Sequence, residues 1–198
     1  MQQRDDETER IIQELMALDD GVHPDSPLPI SEQHAAQRRR YRDAIEMRPF
    51  QAMLEHAITT LVTEHLPTMD EDLAENLVNE LNQAALVLGQ VPPDHAFQTN
   101  PEILGISEDS ISIIFDCATE HYAREEWNRA RALFTLLSTL DFHCADFWFC
   151  LGSCEQELEE FDSAISAYQV AVGLEPDRIL FRLVLAECNL ICGKKHDA

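Results

Sequence analysis

Two ladders of small residues recur at a fixed interval of 34 in the C-terminal half of this chain. Ala118, Gly152 and Ala186 form one, and Ala130, Ala164 and Ala198 form the other. Phe134 falls in register with Tyr168, and Trp127 with Phe161. Small residues repeated within helix-periodic segments predict pairs of antiparallel helices, because two axes approach closely only where a bulky side chain is missing. The best-formed unit is ADFWFCLGSCEQELEEFDSAISAYQVAVGLEPD, from Ala145 to Asp177. Trp148, Leu151 and Gly152 belong to its first helix, Ala164, Tyr168 and Ala171 to its second, and Pro176 ends it. The unit before it packs through Ala118, Ala130 and Phe134. The unit after it packs through Ala186, and its second helix would only be starting at Ala198. A repeat buries its apolar face only against a neighbour. That last edge therefore needs cover from further chain, from the N-terminal half or from another subunit.

This order of large, small and aromatic residues is that of the tetratricopeptide repeat. The expected fold is all-α, a tetratricopeptide-repeat superhelix of two full repeats and a partial third over residues 101–198. A helical N-terminal extension, residues 1–100, precedes it.

Composition narrows the partners. Thirty-seven acids against fourteen Lys and Arg leave a formal charge of −23, which repels a phosphate backbone or an anionic membrane surface within about a Debye length. No apolar run reaches the roughly 20 residues that span a bilayer, and MQQRDDETER has neither the basic nor the apolar region of a signal peptide. The expectation is a cytoplasmic protein with no nucleic-acid partner and no direct membrane insertion. Cys117, Cys144, Cys150, Cys154, Cys188 and Cys192 do not form the close pairs of structural zinc knuckles. Cys150 and Cys154, like Cys188 and Cys192, sit four apart on helices and read as buried, reduced thiols. His143 beside Cys144 is the one close pair that lends a metal any support, and no metal or cofactor is expected.

In the N-terminal half, Ile11, Ile12, Leu15 and Leu18 draw a stripe on a short helix from Glu7 to Leu18. Pro24, Pro27 and Pro29 make residues 21–30 a linker. Ser31 is placed to cap a second helix reaching about Glu46, which carries the basic cluster Arg38, Arg39, Arg40 and Arg42. From Phe50, the positions of Met53, Leu54, Ala57, Ile58, Leu61 and Val62 give a wide apolar face. Pro67 stops that helix, and Thr68 with Glu71 reads as a capping box. Leu73, Leu77, Leu81, Ala84 and Leu88 then line a third helix that Gly89 closes. The prolines between Val91 and Pro101 place a domain boundary there, and Ser107 caps the first helix of the repeats.

Stacked repeats of this kind present their first helices to a concave groove. The matched positions are Phe115, Phe149 and Leu183, one turn later Thr119, Ser153 and Glu187, and then Tyr122, Gln156 and Leu190. An apolar and aromatic floor with small polar residues suits an extended apolar peptide. Burial of each anchor contributes about 1.5–3 kcal/mol, offset by the cost of ordering the segment.

The blocks ALF…LD, FWFCLGSC, FDSAISAY and AEC…GK..DA, within residues 107–198, resemble the class II chaperones of type III secretion. Leu140-Asp141, the Cys after Leu-Gly and Ala186-Glu187-Cys188 are details that helix packing alone does not demand. The resemblance implies a groove that takes an extended segment of a secreted translocator protein and keeps it soluble and unassembled before delivery. It also implies possible contacts with secretion-apparatus components, a possible homodimer, and groove aromatics at Phe115, Tyr122 and Phe149. Two features depart from that pattern: about 100 residues stand in front, and the third repeat is incomplete. Within the prefix, HLP and GQVPPDHAF are candidates for an internal pseudo-ligand.

Two other readings compete. One is a repeat-based adaptor or regulatory subunit of the secretion apparatus without a translocator client, which the long prefix favours. The other is an enzyme, but no phosphate-cradling glycine loop or HExxH motif occurs, and His34, His56, His65, His95, His121 and His143 lie far apart in sequence. An enzyme is not expected.

Overall fold

The computed structural model describes residues 12–13, 16, 21–22, 26–45, 47–90 and 100–196. Packing divides the chain into two units, Met1–Pro49 and Phe50–Ala198. All regular structure among the described residues is helical.

In the first unit, helix α1 runs from Ile30 to Ile45. It begins one residue before the expected cap, because the Pro29 carbonyl already accepts the Glu32 and Gln33 amides at 2.9 and 3.0 Å. Ser31 therefore lies inside the first turn. Ile12, Gln13 and Met16 are helical, and the rest of the expected Glu7–Leu18 helix lies outside the described residues, as do the side chains of Arg39, Arg40 and Arg42.

Helix α2, Met47–Thr60, belongs to the second unit from Phe50 onward and continues into a π-type turn, Leu61–His65, and a 3-10 turn, Leu66–Thr68. Pro67 falls in the 3-10 turn, where its missing N–H leaves no α-helical bond unmade. Helix α3, Glu71–Leu88, is capped by Asp70, whose carboxylate accepts the Asp72 amide at 3.1 Å. The Thr68–Glu71 capping box does not form, because the Thr68 hydroxyl donates to the His65 carbonyl at 2.8 Å instead. Gly89 closes α3 as the sequence requires. The one-turn α4, Pro101–Leu104, starts at the Asn100 side chain and ends at Gly105, whose φ of 72° suits a residue without Cβ.

The helical repeat follows as α5 (Glu108–Ala123), α6 (Trp127–Leu140), α7 (Ala145–Glu157), α8 (Phe161–Leu174) and α9 (Ile179–His196), each packed on the next. Its period shows in the backbone. Glu125 and Glu159, 34 positions apart, both take the left-handed conformation, with φ of 60° and 61°, in the turns that join α5 to α6 and α7 to α8. Ser107 caps α5, accepting the Ser110 amide at 3.2 Å.

The largest core is continuous from α2 and α3 into the repeats. Ala57, Leu61, Leu77 and Ala84 join Leu104, Ile106, Ile114, Leu133, Phe134, Leu137 and Leu151 in one buried cluster. Polar contacts fasten the same junction: the Ser107 amide and hydroxyl both donate to Glu80 at 2.9 Å. Burial works to raise the Glu80 carboxyl pKa, but these bonds and one from Ser110 outweigh it and hold it below its ordinary value. The proline-rich stretch near residue 100 thus marks a change of sequence pattern within one core, and packing divides the chain at residue 49 instead. Part of the wide apolar face that begins at Phe50 stays open, with Ile58 and Val62 exposed while Ala57 and Leu61 are buried.

Candidate functional site

The small-residue positions explain how the first helices are held. A Cβ on Gly152 would meet the Tyr168 ring at 2.7 Å, so α7 and α8 cross where only glycine fits. Ala118, Ala130, Phe134, Leu151, Ala164, Tyr168 and Ala171 are buried. Trp148 is half-buried, donating its indole N–H to the Phe142 carbonyl at 2.9 Å and meeting that ring edge-on. Pro176 is exposed in the turn before α9. Ala186 departs from its assigned packing role and is exposed. Helix α9 packs chiefly on α8, and none of the described residues supplies a following helix to cover that side.

The residues assigned to the groove divide into two groups. Phe115, Thr119, Tyr122, Phe149, Ser153 and Gln156 are half-buried, and each is engaged within the repeat. Phe115 contacts Phe134 and Phe147, with centroids 6.0 and 5.9 Å apart. Tyr122 stands edge-on to Trp127 at 4.9 Å, and burial raises its phenol pKa. Phe149 stacks on the fully buried Phe181 at 4.7 Å and leans on Tyr168 at 5.5 Å, joining α7 to α8 and α9. The Tyr168 hydroxyl reaches Ser153 at 3.3 Å and Gln156 at 3.1 Å. The Thr119 hydroxyl donates to the Asp116 carbonyl at 2.9 Å. Apart from Thr119, which bonds within its own helix, these side chains shape a surface while holding helices together, so truncating one of them changes packing as well as any contact made on it.

Leu183 and Glu187 form the open group. They lie on α9 beside Ile179, Leu180 and Leu190, which are 69, 53 and 67 % exposed, with Leu183 itself at 62 %. Four large aliphatic side chains on one helix are unusually open to water for an ordered element. Leu180 was missed in the sequence, although it stands 34 positions after Asp146 and the repeat shift reaches it directly. Asp146 is itself satisfied by the Arg178 guanidinium at 2.7 Å. Arg178 also lies 4.3 Å over the Phe181 ring and so ties α7 to the start of α9.

The cysteines are free thiols. Burial raises the pKa of each of Cys117, Cys150 and Cys188 to about 11 and pushes Cys144 and Cys154 upward as well. Thiols held protonated in this way are poor nucleophiles near neutral pH. Glu155 is buried at the α6–α7 contact; desolvation raises its pKa, and Arg131 at 3.3 Å counters part of that effect.

A side-chain chain invisible to helical spacing joins His65 and His121, 56 residues apart, through their Nε2 atoms at 2.8 Å. His121 Nδ1 is bonded in turn to Glu126 at 2.5 Å. Of the segments considered as an internal pseudo-ligand, HLP is taken up here: His65 lies on His121 and Leu66 packs on the main core. GQVPPDHAF falls almost wholly outside the described residues.

Fold and surface together define an all-helical repeat protein with a half-buried aromatic first-helix face that ends on an open aliphatic helix. No family model matches the chain. Over 93 residues it is 28 % identical to low calcium response locus protein H of Yersinia pestis, and equally so to the protein of that name from Yersinia pseudotuberculosis; the match covers 47 % of this chain. The chain spans 55 % of the length of those relatives. An 80-residue stretch is 32 % identical to the transcription factor tau 131 kDa subunit of Saccharomyces cerevisiae, covering 40 % of this chain and 8 % of that protein. Among solved structures, a chain of a CopN-Scc3 complex is similar at 17 % identity with a TM-score of 0.48, over 60 % of this chain and 82 % of that one.

Proposed function

We propose that this chain is a chaperone of type III secretion, of the tetratricopeptide-repeat class, that holds an extended apolar segment of a translocator protein along the first helices of its repeats. The observation that carries this reading is the open aliphatic row Ile179, Leu180, Leu183 and Leu190. Its Leu183 continues the positions of Phe115 and Phe149 at the repeat period. Similarity to low calcium response locus protein H supports the same class. Translocators are apolar proteins that must stay apart until secreted, and a surface that gives aliphatic contacts to an extended strand meets that need without enzymatic chemistry. Two or three anchors, each contributing about 1.5–3 kcal/mol when buried, give binding tight enough to protect and weak enough to release after the ordering costs are met. The chaperone acts in the bacterial cytoplasm, and its transfer of cargo brings it to secretion-apparatus components.

Co-expression with a translocator of the same secretion system tests the reading. Leu183→Asp with Leu190→Asp places charge on the open row and should abolish co-purification while leaving the helical circular dichroism unchanged. Undiminished capture by that variant contradicts it.

A further inference from the structure

The turn between α2 and α3 is joined to the first repeat by an arrangement that responds to protons. His65 ends the π-type turn and is buried, and His121 lies on the last turn of α5, 1 % exposed. Their rings meet edge to face, with centroids 5.0 Å apart and Nε2 atoms at 2.8 Å. A nitrogen-to-nitrogen contact that short requires one ring to donate and the other to accept. The Glu126 carboxylate accepts a hydrogen bond from His121 Nδ1–H. In the neutral pair, His121 therefore offers Nε2 as acceptor and His65 donates Nε2–H to it. One added proton still leaves a single N–H between the two Nε2 atoms, so the bond stays intact whichever ring carries the charge. A second places N–H against N–H and two cations at contact distance in a buried site, and the bond is lost.

We propose that the His65–His121–Glu126 chain is a proton-sensitive latch that holds the 61–68 turn against the first repeat and releases it on acidification. The surrounding charges set its threshold. Glu64 on the turn itself and Glu120 on α5 favour the charged His65, with Glu120 Oε2 at 4.0 Å from Nδ1. Arg124 at the end of α5 opposes it, although Glu120 neutralises that guanidinium in an i,i+4 ion pair. Arg129 on α6 pairs with both Glu64 and Glu126 at 3.0 Å and draws on the carboxylates that would otherwise stabilise imidazolium. Desolvation is the largest influence on His65 and, with the His121 ring, lowers its pKa below 6.5 in the folded protein. Because the folded value is the lower one, the contribution to holding the turn is complete above about 6.5. It is lost as the pH falls through the folded value. The remaining attachments of the hairpin, Ser107 on Glu80 and the apolar cluster, carry no such sensitivity, so release is local.

Hydrogen–deuterium exchange of the full chain between pH 7.5 and pH 5.5, corrected for intrinsic rates, reads this directly. Amides of residues 61–68 should lose protection by up to about tenfold per pH unit within that window, the slope set by one unmatched proton, while α7 and α8 stay level. His65→Gln keeps a donor for His121 but cannot titrate, and should flatten the pH response. Glu120→Gln, which leaves both rings in place, should move the transition to lower pH by removing a charge that favours the protonated His65. Equal pH response of residues 61–68 and of α7–α8 in the wild type, or an unshifted transition in Glu120→Gln, overturns the proposal.

Discussion

The first and last helices of the described repeats are covered differently. At the N-terminal end, Leu61, Leu77 and Leu104 on the α2–α3 hairpin and α4 are at most 1 % exposed and share one core with α5 and α6. At the other end, α9 buries Phe181, Cys188 and Cys192 against α8 and leaves Ile179, Leu180, Leu183 and Leu190 in water. A stack of repeats is held by contacts between neighbours, so each terminal face must be covered or remain reactive. The first face is covered by the chain's own hairpin. The second is the open apolar surface on which the proposed client binding rests.

Substitutions at a buried and at an open position separate the two ends. Leu77→Ala, in the hairpin core, should cost about 3 kcal/mol of stability in denaturant unfolding, the usual result of a cavity at a fully buried leucine. A loss below about 1 kcal/mol would show that the hairpin does not cover the array. Gly152→Leu lies between the ends and tests the repeat itself. It should cost about 1–3 kcal/mol, because even its Cβ would stand 2.7 Å from Tyr168, and a melting point equal to wild type would contradict the α7–α8 crossing. Leu190→Asn, on the open end, should stay within about 0.5 kcal/mol of wild type; a large loss there means that the residue is covered in solution. The smallest change expected is a gain. Glu159→Gly removes a side chain from a backbone position at φ 61° and should stabilise by about 0.5–1 kcal/mol, read as a raised melting temperature, with Glu125→Gly in the equivalent turn behaving alike.

Sequence patterning made the repeat legible because its determinants are local and periodic. Gly152 opposite Tyr168, Ser107 as cap and Gly89 as terminator each follow from one residue's geometry. The groove assignment was legible only as positions. Phe115 and Phe149 stand at the right period, but the period cannot reveal that Phe149 stacks on Phe181 or that the Tyr168 hydroxyl holds Ser153 and Gln156. Those contacts depend on how the next helix lies. Ala186 shows the same limit from the other side: its register predicts packing, and exposure follows from the lack of a described neighbour. The His65–His121 pair gave no signal, since two residues 56 apart on different elements meet through tertiary packing alone. The shared core of hairpin and repeats was hidden for a simpler reason. A proline-rich stretch of sequence near residue 100 gives no sign of which apolar residues on its two sides are buried together.

Exchange protection of the full chain with and without a bound translocator segment tests the central claim most directly. The account predicts that binding slows exchange along α9 and the first-helix face of α7 and leaves the α2–α3 hairpin unchanged. Protection confined to the hairpin, with α9 exchanging as freely as in the unbound chain, would contradict it.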